Sequence, residues 1–381
     1  MYLKEIRLNN FRCFQDLSFK PQKDLTLLTG RNAQGKTSIL EAVYLCATGR
    51  SHRTSKDKDL IKWGENYLNV ASNVEKSSGD YKIEVHINSG ERKKIEINGV
   101  SIARLGELMG SLNCVMFSYD DLKLIKEGPS ERRKFMDIAI SQVKPRYFYS
   151  LQQYIRILTQ RNTLLKSINK DMSLRKTLHI WNDQLSATAS YITSERISFT
   201  ERIMKIAADI HNSLSYEKER IKFTYAPSIP VKVNDISIIK QTYADMLLKK
   251  EDEDIKKGST SIGCHRDDIV PEINGVDLRA FGSQGQQKTA VLSLKLAELH
   301  FMKNETGEYP ILLLDDCLSE IDFYRQKKLF EISKGFQTII TVTDIRGWTS
   351  DFFQDADIYE VKSNGDGAYC FLVGTQIMKT V

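Results

Sequence analysis

The sequence predicts an α/β protein whose core is assembled from both ends of the chain. An antiparallel β attachment and an inserted, mainly helical second lobe complete the plan. Three observations carry this. A short apolar run, Asp24 to Thr29, ends at Gly30-Arg31-Asn32-Ala33-Gln34-Gly35-Lys36-Thr37, and helical patterning follows. A second apolar run, Ile311-Leu312-Leu313-Leu314, ends in Asp315-Asp316 near the other end of the chain. Between them, Pro129 to about Tyr216 is patterned as helix, with Pro145 as its one further proline. The expected division is 1–115 with 262–381 for the phosphate-binding lobe and 116–261 for the helical lobe.

Taken in order, Leu3, Ile6, Leu8 and Asn10 lie in a roughly alternating stretch that predicts a half-buried strand. Asp24 to Thr29 suits a buried strand, and Ile39, Leu40, Val43 and Ala47 put one apolar face on a helix from Thr37 to Ala47. Tyr67 to Glu75, Tyr81 to Asn88 and Lys93 to Ile97 read as strands, the last ending at the hairpin dipeptide Asn98-Gly99. Within the helical stretch, Leu178, Trp181, Leu185, Ala189 and Ile192 form a stripe, which is what helix packing requires. Lys249 to Lys257 reads as an exposed charged loop. Alternation of strand and helix then returns: Ser261 to Ile273, a helix from Gln286 to Met302, the strand Pro310 to Leu314, a helix after Asp322 and the strand Gln337 to Val342.

The 381 residues are 41% hydrophobic and 27% charged, which is globular composition and excludes a disordered or fibrous chain. No apolar run nears the ~18 residues that cross a bilayer. Met1-Tyr2-Leu3-Lys4-Glu5 carries mixed charge where a secretory leader needs an apolar stretch. The six cysteines are scattered with no C-x-x-C pair, so zinc-ribbon and thioredoxin chemistry lack their spacing. A cytoplasmic protein with reduced thiols is expected. Charge is unevenly spread. Asp121 to Ile180 holds thirteen Lys or Arg against five Asp or Glu, a net of +8, which leaves −2 for the rest of a chain whose total is +6. Such a stretch points to an anionic partner.

Gly30 to Thr37 matches G-x-x-x-x-G-K-[ST]. The glycines let backbone N–H groups turn toward phosphate oxygens, and the following helix aims its positive end at the same place. Gly30, Arg31, Asn32, Ala33, Gln34, Gly35, Lys36, Thr37 and Ser38 are the candidate ATP-binding residues. Lys36 is expected at the β- and γ-phosphates and Thr37 on Mg²⁺. An apolar strand ending in carboxylates is where an open α/β sheet keeps its ligands. Asp315 is the second candidate for Mg²⁺, and Asp316 the candidate to orient or deprotonate the attacking water.

Phe281-Gly282-Ser283-Gln284-Gly285-Gln286-Gln287 opens the next helix, and beside the other two motifs it resembles the signature of the ABC ATPases. That resemblance implies an ABC-type ATPase head in which Ser283, Gly285 and Gln286 grip the γ-phosphate of a nucleotide on a second subunit. Ser319-Glu320-Ile321-Asp322 resembles the D-loop of the same superfamily, which makes Ser319, Glu320 and Asp322 further candidates. Narrower likeness lies in Asn10-Phe11-Arg12, Phe117 to Leu122, Gly128-Pro129-Ser130-Glu131-Arg132-Arg133 onward to Asp137, and His265-Arg266-Asp267-Asp268. These segments are similar to the RecF family of bacterial recombination mediators.

The resemblance implies an ATP-driven homodimer closing on double-stranded and gapped DNA, which helps RecO and RecR load RecA at the edges of single-stranded gaps. It also implies a weak, DNA-dependent ATPase. Asp316 stands where most ABC ATPases carry glutamate, and Thr343 about where a switch histidine would follow the last core strand, which implies slow turnover. Lys144, Arg146, Arg156 and Arg161 are the candidate DNA contacts from the basic stretch; Arg132 and Arg133 are poorer ones, because their segment is expected to be buried between the lobes. Two other readings stay open: a transporter-type ABC subunit, and an ATP-bound scaffold with negligible turnover.

Overall fold

Alternation in the first hundred residues produces an antiparallel sheet. The computed structural model describes residues 1–215, 219–318, 322–343, 356–363 and 367–373. Strands β1 (Tyr2–Phe11), β2 (Phe14–Phe19), β3 (Leu25–Thr29), helix α1 (Lys36–Thr48), β4 (Tyr67–Lys76), β5 (Gly79–Asn88), β6 (Lys94–Ile97), β7 (Val100–Ser101) and β8 (Cys114–Ser118) follow one another. The antiparallel sheet has the order β2-β1-β4-β5-β6-β7. Leu3, Ile6 and Leu8 of β1 are buried and Leu8 pairs with Val70, so the register is set by the apolar face. Asn98 and Gly99 both have positive φ (51° and 79°) and Ile97 pairs with Val100. This is the two-residue hairpin turn the dipeptide predicts.

The chain then forms α2 (Lys123–Lys126), α3 (Pro129–Val143), α4 (Pro145–Ile168), α5 (Leu178–Leu214), β9 (Ile221–Ala226), α6 (Ile236–Lys249), α7 (Glu251–Lys257), β10 (Asp268–Ile273), β11 (Val276–Asp277), α8 (Leu278–Phe281) and α9 (Gln284–Thr306). Both prolines of the helical stretch open helices, where a missing N–H costs nothing. Lys249 to Lys257 departs from the expected loop. Four acids fill the first turn of α7 and Lys256 and Lys257 its last, which suits the helix dipole, and Lys257 pairs with Glu253 at i,i+4. Gly258 at φ 63° ends the helix.

Strand β12 (Ile311–Asp315), helix α10 (Phe323–Ile332), β13 (Thr338–Val342), β14 (Ala356–Ser363) and β15 (Ala368–Leu372) complete the order. The core sheet runs β15-β14-β3-β13-β12-β8, parallel except for β15. Ile311 to Leu314 are at most 1% exposed, as expected of a parallel strand covered on both faces.

By packing, the chain divides into Met1–Asp121 with Glu298–Val381, and Leu122–Ala297. The first boundary lies close to the expected one; the second lies well beyond residue 261. The physical reason is the β9–β10 pairing, with Thr224 opposite Val270, which ties the residues after 261 to the helical unit. The signature segment therefore belongs to the helical unit and not to the unit that carries the phosphate loop.

The basic stretch resolves residue by residue within the helical unit. Arg161 cannot meet DNA: it is 0% exposed, its Nη1 donating to Asp254 Oδ2 at 2.8 Å and to Thr260 Oγ1 at 2.7 Å, and its Nε to Asn182 Oδ1 at 2.8 Å. A guanidinium removed from water needs such partners. Arg132 is also buried, forked onto both carboxylate oxygens of Asp268 at 2.6 and 2.9 Å. Arg133 Nη1 donates to the Asp267 carbonyl at 2.8 Å. The Pro-Ser-Glu-Arg-Arg and His-Arg-Asp-Asp segments are thus each other's partners inside one unit. Lys144 is ion-paired with Glu195 at 2.7 Å, Arg146 lies 4.6 Å over the Tyr191 ring, and Arg146 and Arg156 are exposed.

Candidate nucleotide site at the phosphate loop

The loop between β3 and α1 has the glycines it needs. Gly30 has φ 140°, and a Cβ there would fall 2.4 Å from the Val361 carbonyl oxygen. Gly35 has φ 108°, and a Cβ there would meet Cys13 Sγ at 2.7 Å and the Phe14 ring at 2.8 Å. Only glycine fits either place. Helix α1 begins with no side-chain cap and no acid in its first turn, so its positive end is open to an anion.

Lys36 is buried, and its Nζ donates to the carbonyls of Gly30 and Arg31. Burial lowers its pKa, opposed by the charges of Asp316 and Asp315. Asp315, ending β12, accepts from Thr37 Oγ1 and from Thr341 Oγ1, each at 2.8 Å and on the same oxygen, Oδ1. The Asp316 N–H donates to Thr341 Oγ1 at 2.9 Å. Thr341 of β13 therefore joins the Asp315 carboxylate to the Asp316 main chain, while Thr37 joins that carboxylate to the loop. Asp316 itself takes φ 49°, uncommon for a residue with a Cβ and a mark of a constrained site. Thr343 Oγ1 lies 3.4 Å from Asn32 Oδ1 and 3.5 Å from Asp316 Oδ1.

Asn32, Lys36, Thr37, Asp316 and Thr341 line a cavity of about 790 Å³. Arg12, Lys36, Arg53 and Lys62 line it against two carboxylates, Asp59 and Asp316, a balance of +2 that suits a polyphosphate. Arg12 is held in place by Glu41 of α1, its Nε and Nη2 donating at 2.9 and 2.6 Å. Burial raises the Glu41 pKa, but hydrogen bonds from Arg12 and Ser51 outweigh it and leave it below the usual carboxylate value. The hydroxyl of Thr37 and the carboxylate of Asp315 are adjacent hard oxygen donors, which is the chemistry Mg²⁺ selects.

Thr341, Arg53 and Trp63 are among the cavity residues the sequence reading does not find. Thr341 carries no motif; its place follows only from β13 lying between β3 and β12.

Elsewhere, Ser283 stands exposed at the start of α9, in the helical unit. Its Oγ accepts from the Gln286 N–H at 3.2 Å and its N–H donates to Gln286 Oε1 at 2.9 Å, a reciprocal cap. Beside it, a Cβ on Gly285 would meet nothing nearer than Ser283 Oγ at 4.0 Å, so that face of the helix start is open. Asp322 caps α10 through the Arg325 N–H at 3.0 Å. Ser319 and Glu320 lie outside the described residues. Among the described residues no helix is long and apolar enough to cross a membrane.

The family model for an AAA domain matches residues 5–346. DNA replication and repair protein RecF of Acetivibrio thermocellus is 44% identical over 370 residues, 97% of each chain. A solved structure of the recombination mediator protein RecF-ATP in the RecFOR pathway superposes with a TM-score of 0.90 at 36% identity, covering 98% of each chain. The Smc head domain of Pyrococcus furiosus, with a TM-score of 0.58 at 17% identity, covering 98% of this chain and 96% of that one, shares the fold of ATPase heads. With a shared fold, near-complete coverage and this level of identity, the chain belongs to the RecF family.

Proposed function

We propose that this chain is an ATP-dependent DNA-binding protein of recombinational repair and replication restart, working in the cytoplasm as a dimer that ATP closes on double-stranded and gapped DNA. In this reading Lys36 holds the β- and γ-phosphates, Thr37 and Asp315 hold Mg²⁺, and Asp316 orients the attacking water. Ser283, Gly285 and Gln286 meet the nucleotide of the second subunit. RecO and RecR are the partners and RecA loading the outcome. The observation that supports the reading is the hydrogen-bonded chain from the Thr37 hydroxyl through the Asp315 carboxylate and the Thr341 hydroxyl to the Asp316 N–H, which groups these residues beside the loop from Gly30 to Thr37. The short Asp316 side chain and Thr343 favour slow hydrolysis, and the family resemblance implies its stimulation by DNA; a scaffold of negligible turnover is the second reading, and phosphate release with and without duplex DNA separates them.

The test begins with Lys36→Ala. Losing a charge-assisted hydrogen bond of ~1.5–3 kcal/mol lowers ATP affinity roughly ten- to a hundredfold. The variant is expected to stay folded and to remain monomeric by light scattering at an ATP concentration that dimerises the parent. Native ATP affinity in a folded Lys36→Ala protein would sink the assignment.

The DNA surface has its own test. Lys144, Arg146 and Arg156 remain as candidates, with Lys144 already engaged by Glu195. Neutralising one true phosphate contact lowers the log–log salt slope of DNA binding by about 1. An unchanged slope after neutralisation of all three removes this face from consideration.

A further inference from the structure

Trp63 is 97% exposed, the most solvent-exposed of the large apolar side chains among the described residues. Tryptophan is highly buried on average, so an indole held almost wholly in water is an observation in need of a partner. Its surroundings indicate which one. Trp63 lines the cavity that also holds the phosphate loop from Asn32 to Ser38. The phosphate end of that cavity is cationic and rich in N–H groups. Away from the loop, Ile61 and Trp63 add apolar surface to a wall that also carries Asp59 and Lys62.

The indole is carried on a braced segment. Phe11 bridges Ile61, the Arg12 N–H donates to the Leu60 carbonyl at 2.8 Å, and the Lys62 N–H donates to the Asn10 carbonyl at 2.8 Å. Lys62 Nζ reaches Gln15 Oε1 at 2.7 Å. The Glu65 N–H returns to the Lys62 carbonyl at 3.0 Å, with Gly64 at φ 88° completing the turn. Asn10 and Arg12, which anchor this brace, themselves take positive φ (50° and 55°), so the backbone is fixed in a costly conformation to hold the segment here.

We infer that Trp63 is the platform on which the base of the bound nucleoside triphosphate stacks. The inference rests on the reading of the phosphate loop as an ATP site. A flat, exposed indole sharing a cavity with a phosphate cradle meets the one part of a nucleotide that the cradle leaves unrecognised. Stacking recognises the π-face of a base and not its edge, so Trp63 supplies affinity for the nucleoside and little choice among bases. Because the side chain packs against so little of the protein, replacing it leaves the fold in place.

The experiment compares the full-length protein with Trp63→Ala, Trp63→Phe and Lys36→Ala, titrating each by calorimetry with Mg-ATP and with inorganic triphosphate. Trp63→Ala is expected to lose about ten- to a hundredfold in ATP affinity and to bind triphosphate as the parent does, with Trp63→Phe recovering most of the loss. In parallel, ATP quenches the parent's tryptophan emission, triphosphate does not, and the quench disappears in Trp63→Phe. ATP affinity unchanged in Trp63→Ala overturns the platform, as does an equal loss of ATP and triphosphate. In either case weakened binding in Lys36→Ala leaves the phosphate site standing. Parental ATP binding in Lys36→Ala refutes the ATP site itself, and the platform with it.

Discussion

Asp316→Asn is expected to bind ATP as the parent does and to hydrolyse it about a hundred- to ten-thousandfold more slowly, the range spanned by removal of a general base. The substitution is chosen on backbone grounds as much as chemical ones. Asp316 sits at φ 49°, a conformation that asparagine tolerates and that most other side chains resist. The Asp316 N–H bond to Thr341 belongs to the main chain and survives, as do both bonds to Asp315. What disappears is a carboxylate able to accept a proton from water. Its charge also raises the Lys36 pKa, against burial, so the variant's lysine titrates lower; this favours a slightly weaker grip on phosphate at high pH and none of the loss of turnover. The closed, ATP-bound dimer should accumulate, read by light scattering beside single-turnover phosphate release. Hydrolysis at the parental rate would place the base elsewhere.

Arg161→Ala should be the most damaging single change outside the nucleotide site. It leaves Asp254, itself 0% exposed, as an unpaired buried carboxylate, and such a loss costs about 3–5 kcal/mol. Asn182 and Thr260 lose their donor at the same time. Urea unfolding should show the midpoint moved down with the slope unchanged. The double replacement Arg161→Met with Asp254→Leu removes both charges together, and is expected to recover much of the loss, because no buried charge is then stranded. A single Arg161→Ala within 1 kcal/mol of the parent would contradict the burial described for this pair.

Much of the core could be read from the residues because each part is local. The phosphate loop needs two glycines, a lysine and a threonine in one short segment, and β12 needs four apolar residues before two acids. What escaped was made by partners distant in sequence. Glu251 to Lys257 is charged enough to look like a loop, yet it is helical because Asp254 faces inward to Arg161, far away along the chain. The same pairing removes Arg161 from the DNA candidates: net charge over a window reports lysines and arginines without reporting which of them are neutralised in the interior. Thr341 lies in a wholly buried strand and acquires a role only from the strand order. The exposed indole of Trp63 is invisible to periodicity, which predicts large apolar residues inward.

The strand order has a consequence for synthesis. Both neighbours of β3 in the core sheet, β13 and β14, come from after residue 337. The ribosome therefore makes the phosphate motif early and supplies the strands that hold it last. Until then β3 has two unsatisfied edges, the state in which a strand is most prone to pair with the wrong chain. A message cut short before β13 would encode every residue of the phosphate motif and yield a polypeptide with nowhere to seat it.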